Sequence, residues 1–359
     1  MIGAALAASV TLISACSSVA SVPTPSQASP APTPTTPATP LASLTPTVRV
    51  PLGCDQVLSQ ADAEAATGMP MTASPPITFT NPTIYVDQRV GSLECGWQTP
   101  TNGPGTPASS VTLLIMPGVT REAFLGEAAG EGWSRATPAP TLGDDVRRGC
   151  DPQSADSSGC HYIAFTGEYG ITLAVSVAAD SPAAAEATAS GDALFTGLLT
   201  TVAAAPASAP LWQPQGPSLR GARSCDDIIS TDTLAAVTES PPLEIYKQEA
   251  GEYANSNFNA AAQTSAYFCS WTSQSIAGGA WVSVIPGGAS YFEDSKRAYP
   301  GLTWELTGGY PGEAYLTTTD GATTVNMLVD NGWIKIVLSD DKAPLLPALA
   351  AQVYANVGP

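Results

Sequence analysis

The chain has 359 residues, 44% of them hydrophobic and only 12% charged, with 13 basic residues against 31 acidic ones and a single His, for a net charge of -18. So acidic a chain repels phosphate backbones and anionic surfaces, which argues against a nucleic-acid partner. Its length suits about two domains, and its seven cysteines leave one that needs a separate fate.

Residues 2–15 are apolar and small, ending Leu12-Ile13-Ser14-Ala15-Cys16. This stretch is too short for a mature membrane span and fits the apolar region of a signal peptide. Its end resembles the lipobox of bacterial lipoproteins, in which cleavage precedes the Cys and the Cys carries the lipid, so Cys16 is the expected lipidation site. No Lys or Arg precedes Arg49; either the start lies upstream or the amino terminus supplies the only charge. Residues 16–50 are rich in Pro, Thr, Ser and Ala without apolar periodicity, the composition of a disordered, polyproline-leaning tether that could reach on the order of 100 Å.

With Cys16 acylated, six cysteines remain, an even number suited to an oxidising compartment. No C-x-x-C occurs and the one His is His161, so no metal site is expected. Cys-x-Trp occurs twice, as Cys95-Gly96-Trp97 and Cys269-Ser270-Trp271, each a few dozen residues after a Cys that opens a helix-like segment. In the first copy Cys54 precedes the capping pair Ser59 and Asp62 and the stop Gly68; in the second, Cys225 precedes the cap Ser230.

The order of features then repeats. A strand ends at Pro117-Gly118 in one copy and at Pro286-Gly287 in the other. A short helix follows, over 120–130 and 289–299, and then Trp133 or Trp304. Two strands come next, 162–165 and 171–177 against 323–329 and 333–338, the latter pair joined by Asp330-Asn331-Gly332. Helices over 183–202 and 342–355 close the copies. The offset between copies is 169 at Gly143 and Gly312 but 162 at Gly170 and Gly332. About seven extra residues therefore fall near Cys150 and Cys160, as a hairpin extension with its own bridge. The repeat selects Cys54 with Cys95, Cys150 with Cys160, and Cys225 with Cys269. The expected order is signal peptide 1–15, tether 16–50, first α+β module 51–202, linker 203–224 and second α+β module 225–359.

Nucleophilic hydrolase signals are nearly absent: no G-x-S-x-G or H-E-x-x-H occurs, and His161 beside Cys160 reads as a strand residue next to a bridge. Ser339-Asp340-Asp341-Lys342 matches S-x-x-K but sits between a strand and a helix, where capping is the ordinary role. Asp144, Asp145, Asp151 and Asp156 lack the regular ligand spacing of a calcium loop and read as a solvated acidic cluster. No catalytic residue and no cofactor is expected. Trp97 and Trp271, each two residues after a half-cystine, should pack beside the bridge. Trp212 in the linker is expected to fix the modules' orientation, and with Trp281 and Tyr291 it forms the candidate ligand groove.

Lipobox, Pro/Thr tether, and Cys followed by Cys-x-Trp, carried by Cys54, Cys95, Trp97 and Cys225, Cys269, Trp271, resemble the actinobacterial cell-envelope lipoproteins grouped as a domain of unknown function. More loosely, the pattern is similar to the extracellular sensor domains of mycobacterial Ser/Thr kinases. The resemblance implies an α+β module with a curved antiparallel sheet packed by helices, a disulfide and a cleft; it assigns no reaction. The tandem arrangement and the lack of a kinase domain depart from it. The expected protein is a non-enzymatic lipoprotein, tethered through Cys16 to the outer face of the cell membrane, that binds or senses an envelope glycan, lipid or protein partner. A scaffold lipoprotein without a small ligand and an unrecognised hydrolase are the alternatives.

Overall fold

The computed structural model describes residues 45–75, 82–100, 109–125, 136–154, 157–179, 182–240, 246–249, 256–273, 276–319 and 321–359. Cys16, the signal segment, the tether up to residue 44, Trp133 and Asp156 lie outside these residues.

Each module opens on a pair of short helices, α1 Cys54–Val57 and α2 Gln60–Thr67 in the first. The Ser59 hydroxyl accepts from the Asp62 N–H, and the Asp62 carboxylate accepts from the Ser59 N–H, so two of the four free amides of the first turn are satisfied. Gly68 ends the helix in the left-handed region at φ 66°. A short helix α3 (Val86–Arg89) follows a 3-10 turn, and α4 (Arg121–Leu125) follows the Pro117-Gly118 turn. A 17-residue helix, α5 (Ala187–Ala203), closes the module. The second module repeats the set as α6 Cys225–Ile228, α7 Thr231–Val237, α8 Ser256–Thr264, α9 Phe292–Ala298 and α10 Leu346–Val357.

The strands are β1 Thr72–Ala73, β2 Leu93–Gln98, β3 Ser110–Pro117, β4 Thr137–Pro138, β5 Val146–Ser154, β6 Ser157–Thr166 and β7 Tyr169–Ala178, then β8 Tyr246–Glu249, β9 Tyr267–Ser273, β10 Ile276–Ile285, β11 Glu305–Thr307, β12 Glu313–Thr319, β13 Ala322–Val329 and β14 Gly332–Ser339. They form two antiparallel seven-stranded sheets in the same order, β1-β2-β3-β7-β6-β5-β4 and β8-β9-β10-β14-β13-β12-β11. The architecture is therefore α+β in two modules of one topology.

Register fixes the equivalences residue by residue. Cys95 faces Leu113 and Cys269 faces Val282; Leu113 faces Leu173 and Val282 faces Ile336. Ala314 stands where Val146 does, an offset of 168, and Met327 where Ala164 does, an offset of 163. The first module therefore has five extra residues, all at the β5–β6 tip, rather than about seven. Gly332 pairs with Val329 as Tyr169 pairs with Thr166, so Gly332 matches Tyr169, not Gly170. The bridge Cys150–Cys160 joins directly facing residues of that longer hairpin, while Cys54–Cys95 and Cys225–Cys269 tie each opening helix to its sheet.

Period-2 alternation sends one side of each sheet to the helices. In the first module Val111, Leu113, Ile115, Ile171, Leu173 and Val175 pack against Phe195, Leu198 and Val202 of α5. Phe195 is fully buried with its ring 4.8 Å from that of Tyr162; burying one such side chain contributes about 1.5–3 kcal/mol. In the second module Val282, Val284, Ile334 and Ile336 pack against Leu349 and Val353 of α10. Cys95 and Trp97 face the first core, Cys269 and Trp271 the second. Trp97 donates its indole N–H to the Leu58 carbonyl at 2.8 Å, and Trp271 is fully buried.

A third core belongs to both modules. Tyr85, Val86, Val90, Met116, Phe124 and Ile163 meet Ala260, Ala266, Ile285, Phe292 and Trp333. The contact is self-complementary. Arg89 lies six residues before Cys95 and Gln263 six before Cys269, and each reaches across to the strand-end turn of the other module. Arg89 Nε donates to the Pro286 carbonyl at 2.9 Å, and Gln263 Nε2 donates to the Pro117 carbonyl at 3.0 Å. Gly118 (φ 72°) and Gly287 (φ 73°) sit under these two side chains. A Cβ on Gly287 would come within 2.6 Å of Arg89 Nε and 2.8 Å of the Trp212 ring, while one on Gly118 would meet the Gln263 amide at 3.0 Å. Both substitutions strain a left-handed backbone, and Gly287→Ala is expected to cost more than Gly118→Ala because its Cβ would overlap its neighbours more closely. Parallel urea melts of the two variants check the order.

Residues 204–224 form no helix or strand, yet they are no loose spacer. The Ala209 N–H donates to the Arg49 carbonyl and Arg49 Nε to the Ala209 carbonyl; Tyr169 donates to Pro206 and Asn331 to Gln215 and Pro217. Leu211 enters the shared core, and Leu219 and Ala222 enter the second. Asn331 is positioned for this by its turn: Asp330 (φ 48°) and Asn331 (φ 57°) both adopt the left-handed conformation of a two-residue hairpin loop.

Candidate functional site

The three aromatics expected to line one groove are divided between two places. Trp212 lies in the seam, with the Arg89 guanidinium 4.7 Å from its ring centre and Arg89 Nη1 donating to its carbonyl at 2.9 Å. Tyr291 is also there, stacked on Tyr85 at 5.1 Å. Both are structural parts of the module contact. Burial lowers the Arg89 pKa, but the group stays protonated at neutral pH, its charge met by carbonyl dipoles and an aromatic face. Trp281 stands apart, four residues before Ile285 of the seam and so about 13 Å along β10. It is 44% exposed.

The face of the second sheet that carries Trp281 is the candidate site. Cross-strand pairing builds it in rows. The row nearest the first module is Ile285, Trp333 and Leu328, all apolar and all in the shared core. The next is Phe268, Ser283, Lys335, Asn326 and Tyr315. The third is Ser270, Trp281, Val337, Thr324 and Thr317. The face thus grades from a sealed apolar edge to a polar floor with aromatic walls. Ser270, Ser283, Thr324, Asn326 and Thr317 are buried, whereas Phe268, Lys335 and Val337 are half-buried. The Phe268 and Trp281 rings meet edge to face at 5.8 Å, and the Asn326 Oδ1 accepts from the Trp333 indole at 3.1 Å.

Lys335 lies in the middle of this floor, directly opposite Ser283 on one side and Asn326 on the other. Burial pushes its ammonium down from the usual 10.5 to about 8. A folded-state pKa below the unfolded one means that the unfolded chain holds more protons between about pH 8 and 10.5. Stability should therefore rise with pH across that window, by the contribution of this group. The tyrosines act in the opposite sense, since burial raises Tyr291 and Tyr310. The difference between wild type and Lys335→Met isolates the lysine: the variant should melt higher at pH 7, and its advantage should shrink towards pH 10.5. Thermal melts of both proteins at the two pH values check this.

The first module has no such surface. At the matching positions it carries Glu94, Leu114, Thr172 and Ile163 in place of Phe268, Ser283, Lys335 and Asn326, and Thr112 in place of Trp281. In its acidic cluster Asp145 pairs with Arg121, and among the described residues no group of three or more His, Cys, Asp or Glu could hold a metal ion. His161 lies half-buried on β6, facing Ala174 and Gly149 across the sheet. Ser339 precedes a 3-10 turn, and Lys342 donates to the Thr238 carbonyl at 2.9 Å, a bracing contact to α7. Among the described residues no helix is long and apolar enough to cross a membrane.

No protein-family model matches the chain, and no curated protein does. One solved structure, the di-domain ARO/CYC BexL from the BE-7585A biosynthetic pathway, aligns over 80% of this chain and 92% of its own at 9% identity, with a TM-score of 0.13. A likeness so slight carries no argument about fold or activity.

Lys335 escaped the reading of the sequence, although a signal was present. A lysine in the middle of the apolar run Trp333-Ile334-Lys335-Ile336-Val337-Leu338 must either face solvent or lie on a working surface.

Proposed function

We propose that the chain is a lipoprotein, anchored through Cys16 to the outer face of the cell membrane, whose two modules make one rigid, non-enzymatic binding body for an envelope component. The binding surface is the outer face of the second sheet. One observation carries this reading: Trp281, a large aromatic side chain left 44% exposed beside a half-buried lysine, at positions where the sister module keeps Thr112 and Thr172. The lipobox-like Leu12 to Cys16 run and the Pro/Thr tether support the anchored location.

Two measurements on protein purified from its native membrane test it. Intact mass and peptide mapping should find the lipid on Cys16. Calorimetric titration with envelope glycans and lipids should find a ligand whose affinity falls at least tenfold in Trp281→Ala. An unmodified Cys16 removes the anchor, and unchanged affinity in Trp281→Ala moves the binding surface elsewhere.

A further inference from the structure

The Cys150–Cys160 bridge is placed differently from the other two. Cys225 and Cys269 are fully buried, Cys95 is buried and Cys54 half-buried. Cys150 is exposed, whereas Cys160, directly opposite it on the ladder, is only 1% exposed. One sulfur of this bridge belongs to a solvent-facing residue and the other to a buried one. We propose that the bridge is a thiol-exchange site, opened by a small dithiol that attacks Cys150 Sγ while Cys160 leaves as the thiolate, and that opening loosens the β5–β6 tip with α5 still docked. This is independent of the sheet face that carries Trp281.

Exchange proceeds by attack of a thiolate on one sulfur of a disulfide, at a rate set by which sulfur can be reached and by how well the other leaves. Access selects Cys150. The leaving group is served by α5, where Thr188 Oγ1 lies 3.5 Å from Cys160 Sγ. A bridged sulfur carries no hydrogen, so the Thr188 hydroxyl is the donor of that contact. As the S–S bond breaks, negative charge gathers on Cys160 Sγ and the contact becomes a stronger, charge-assisted one. Reach and leaving ability therefore favour the same direction of attack.

The first step joins the attacking sulfur to Cys150 Sγ, and the electron pair of the broken S–S bond goes to Cys160, which then takes a proton from water. The second thiolate of the dithiol attacks its own partner sulfur in the mixed disulfide and releases Cys150. In sum the dithiol is oxidised to its cyclic disulfide and the bridge is reduced to two thiols. Neighbouring contacts confine the consequence. Tyr162 donates to the Asp192 carboxylate at 3.0 Å and stacks on Phe195 at 4.8 Å, and Arg148 pairs with Asp192. These hold α5 on the hairpin whether or not the bridge is closed.

The test is timed reduction of the full chain by dithiothreitol, with acid quenching, alkylation in denaturant and peptide mapping. Cys150–Cys160 is expected to open at least about tenfold faster than the other two bridges. With 2-mercaptoethanol in place of the dithiol, the mixed disulfide should form on Cys150 and the free thiol appear at Cys160. Thr188 is exposed, so Thr188→Val should leave the urea midpoint in place and slow the opening on the order of fivefold, while Thr188→Ser keeps the wild-type rate. Hydrogen exchange of the partly reduced chain should show protection lost at the β5–β6 tip and kept over Phe195 to Val202. Three bridges opening together, or an adduct on Cys160, overturn the exchange site. An unchanged rate in Thr188→Val overturns the role of that hydroxyl, and loss of protection along α5 overturns the confinement to the tip.

Discussion

Replacing Trp333 by Ala is expected to cost about 3–5 kcal/mol, the range for emptying a large aromatic site, and to loosen the modules from each other. Trp333 is fully buried, its ring edge-on to Phe292 at 5.3 Å and 6.0 Å from Tyr85 of the other module. Its indole N–H is also the donor to buried Asn326, so the variant strands an acceptor as well as a cavity. The cavity opens at the seam. Urea unfolding followed by fluorescence should therefore change from one transition to two, as the modules lose the contact that makes them unfold together. A single transition displaced by under about 1 kcal/mol would mean that Trp333 is not the centre of that contact.

Removing the Cys225–Cys269 bridge by a double Ala substitution should have an effect of similar size. The bridge spans 44 residues, and in the chain-entropy model a loop of that length contributes about 4 kcal/mol. Both sulfurs are fully buried among Ile228, Leu234 and Trp271, so truncation also leaves unfilled volume. The Cys150–Cys160 pair spans only 10 residues and staples an extension that the second module lacks, with Cys150 exposed. Its removal should loosen the β5–β6 tip and leave the seam intact. Hydrogen exchange of the three double variants distinguishes the outcomes: local loss of protection for 150–160, global loss for 225–269 and for 54–95. Equal, global loss in all three would show that the extension is part of the first core after all.

Much of this fold is visible in the residues themselves. Ser59, Asp62 and Gly68 cap α2 through chemistry that needs nothing outside the segment, and Asp330-Asn331 makes its hairpin for the same reason. The cysteine pairs follow from the repeat, because equivalent positions must meet equivalent partners. The edge strands β1, β4, β8 and β11 are another matter: with two to four residues each, they have no period to detect and exist because a neighbour offers free backbone groups. Helices α3 and α8 were missed because what holds them is the other module. Val86 and Ala260 look like ordinary small apolar residues until the two copies are set face to face. The groove of Trp212, Trp281 and Tyr291 could not be resolved from spacing either, since aromatics that share a sheet or a linker are assigned to opposite ends of it only by strand register.

The reciprocal Arg89 and Gln263 contacts give the two halves the geometry of a two-fold dimer written into one polypeptide. Two separate subunits joined through such a surface would obey mass action and drift apart on dilution. Here the strap of residues 204–224 keeps the partner present at an effective concentration on the order of millimolar. A single molecule, however far from its nearest neighbour, is therefore a complete pair.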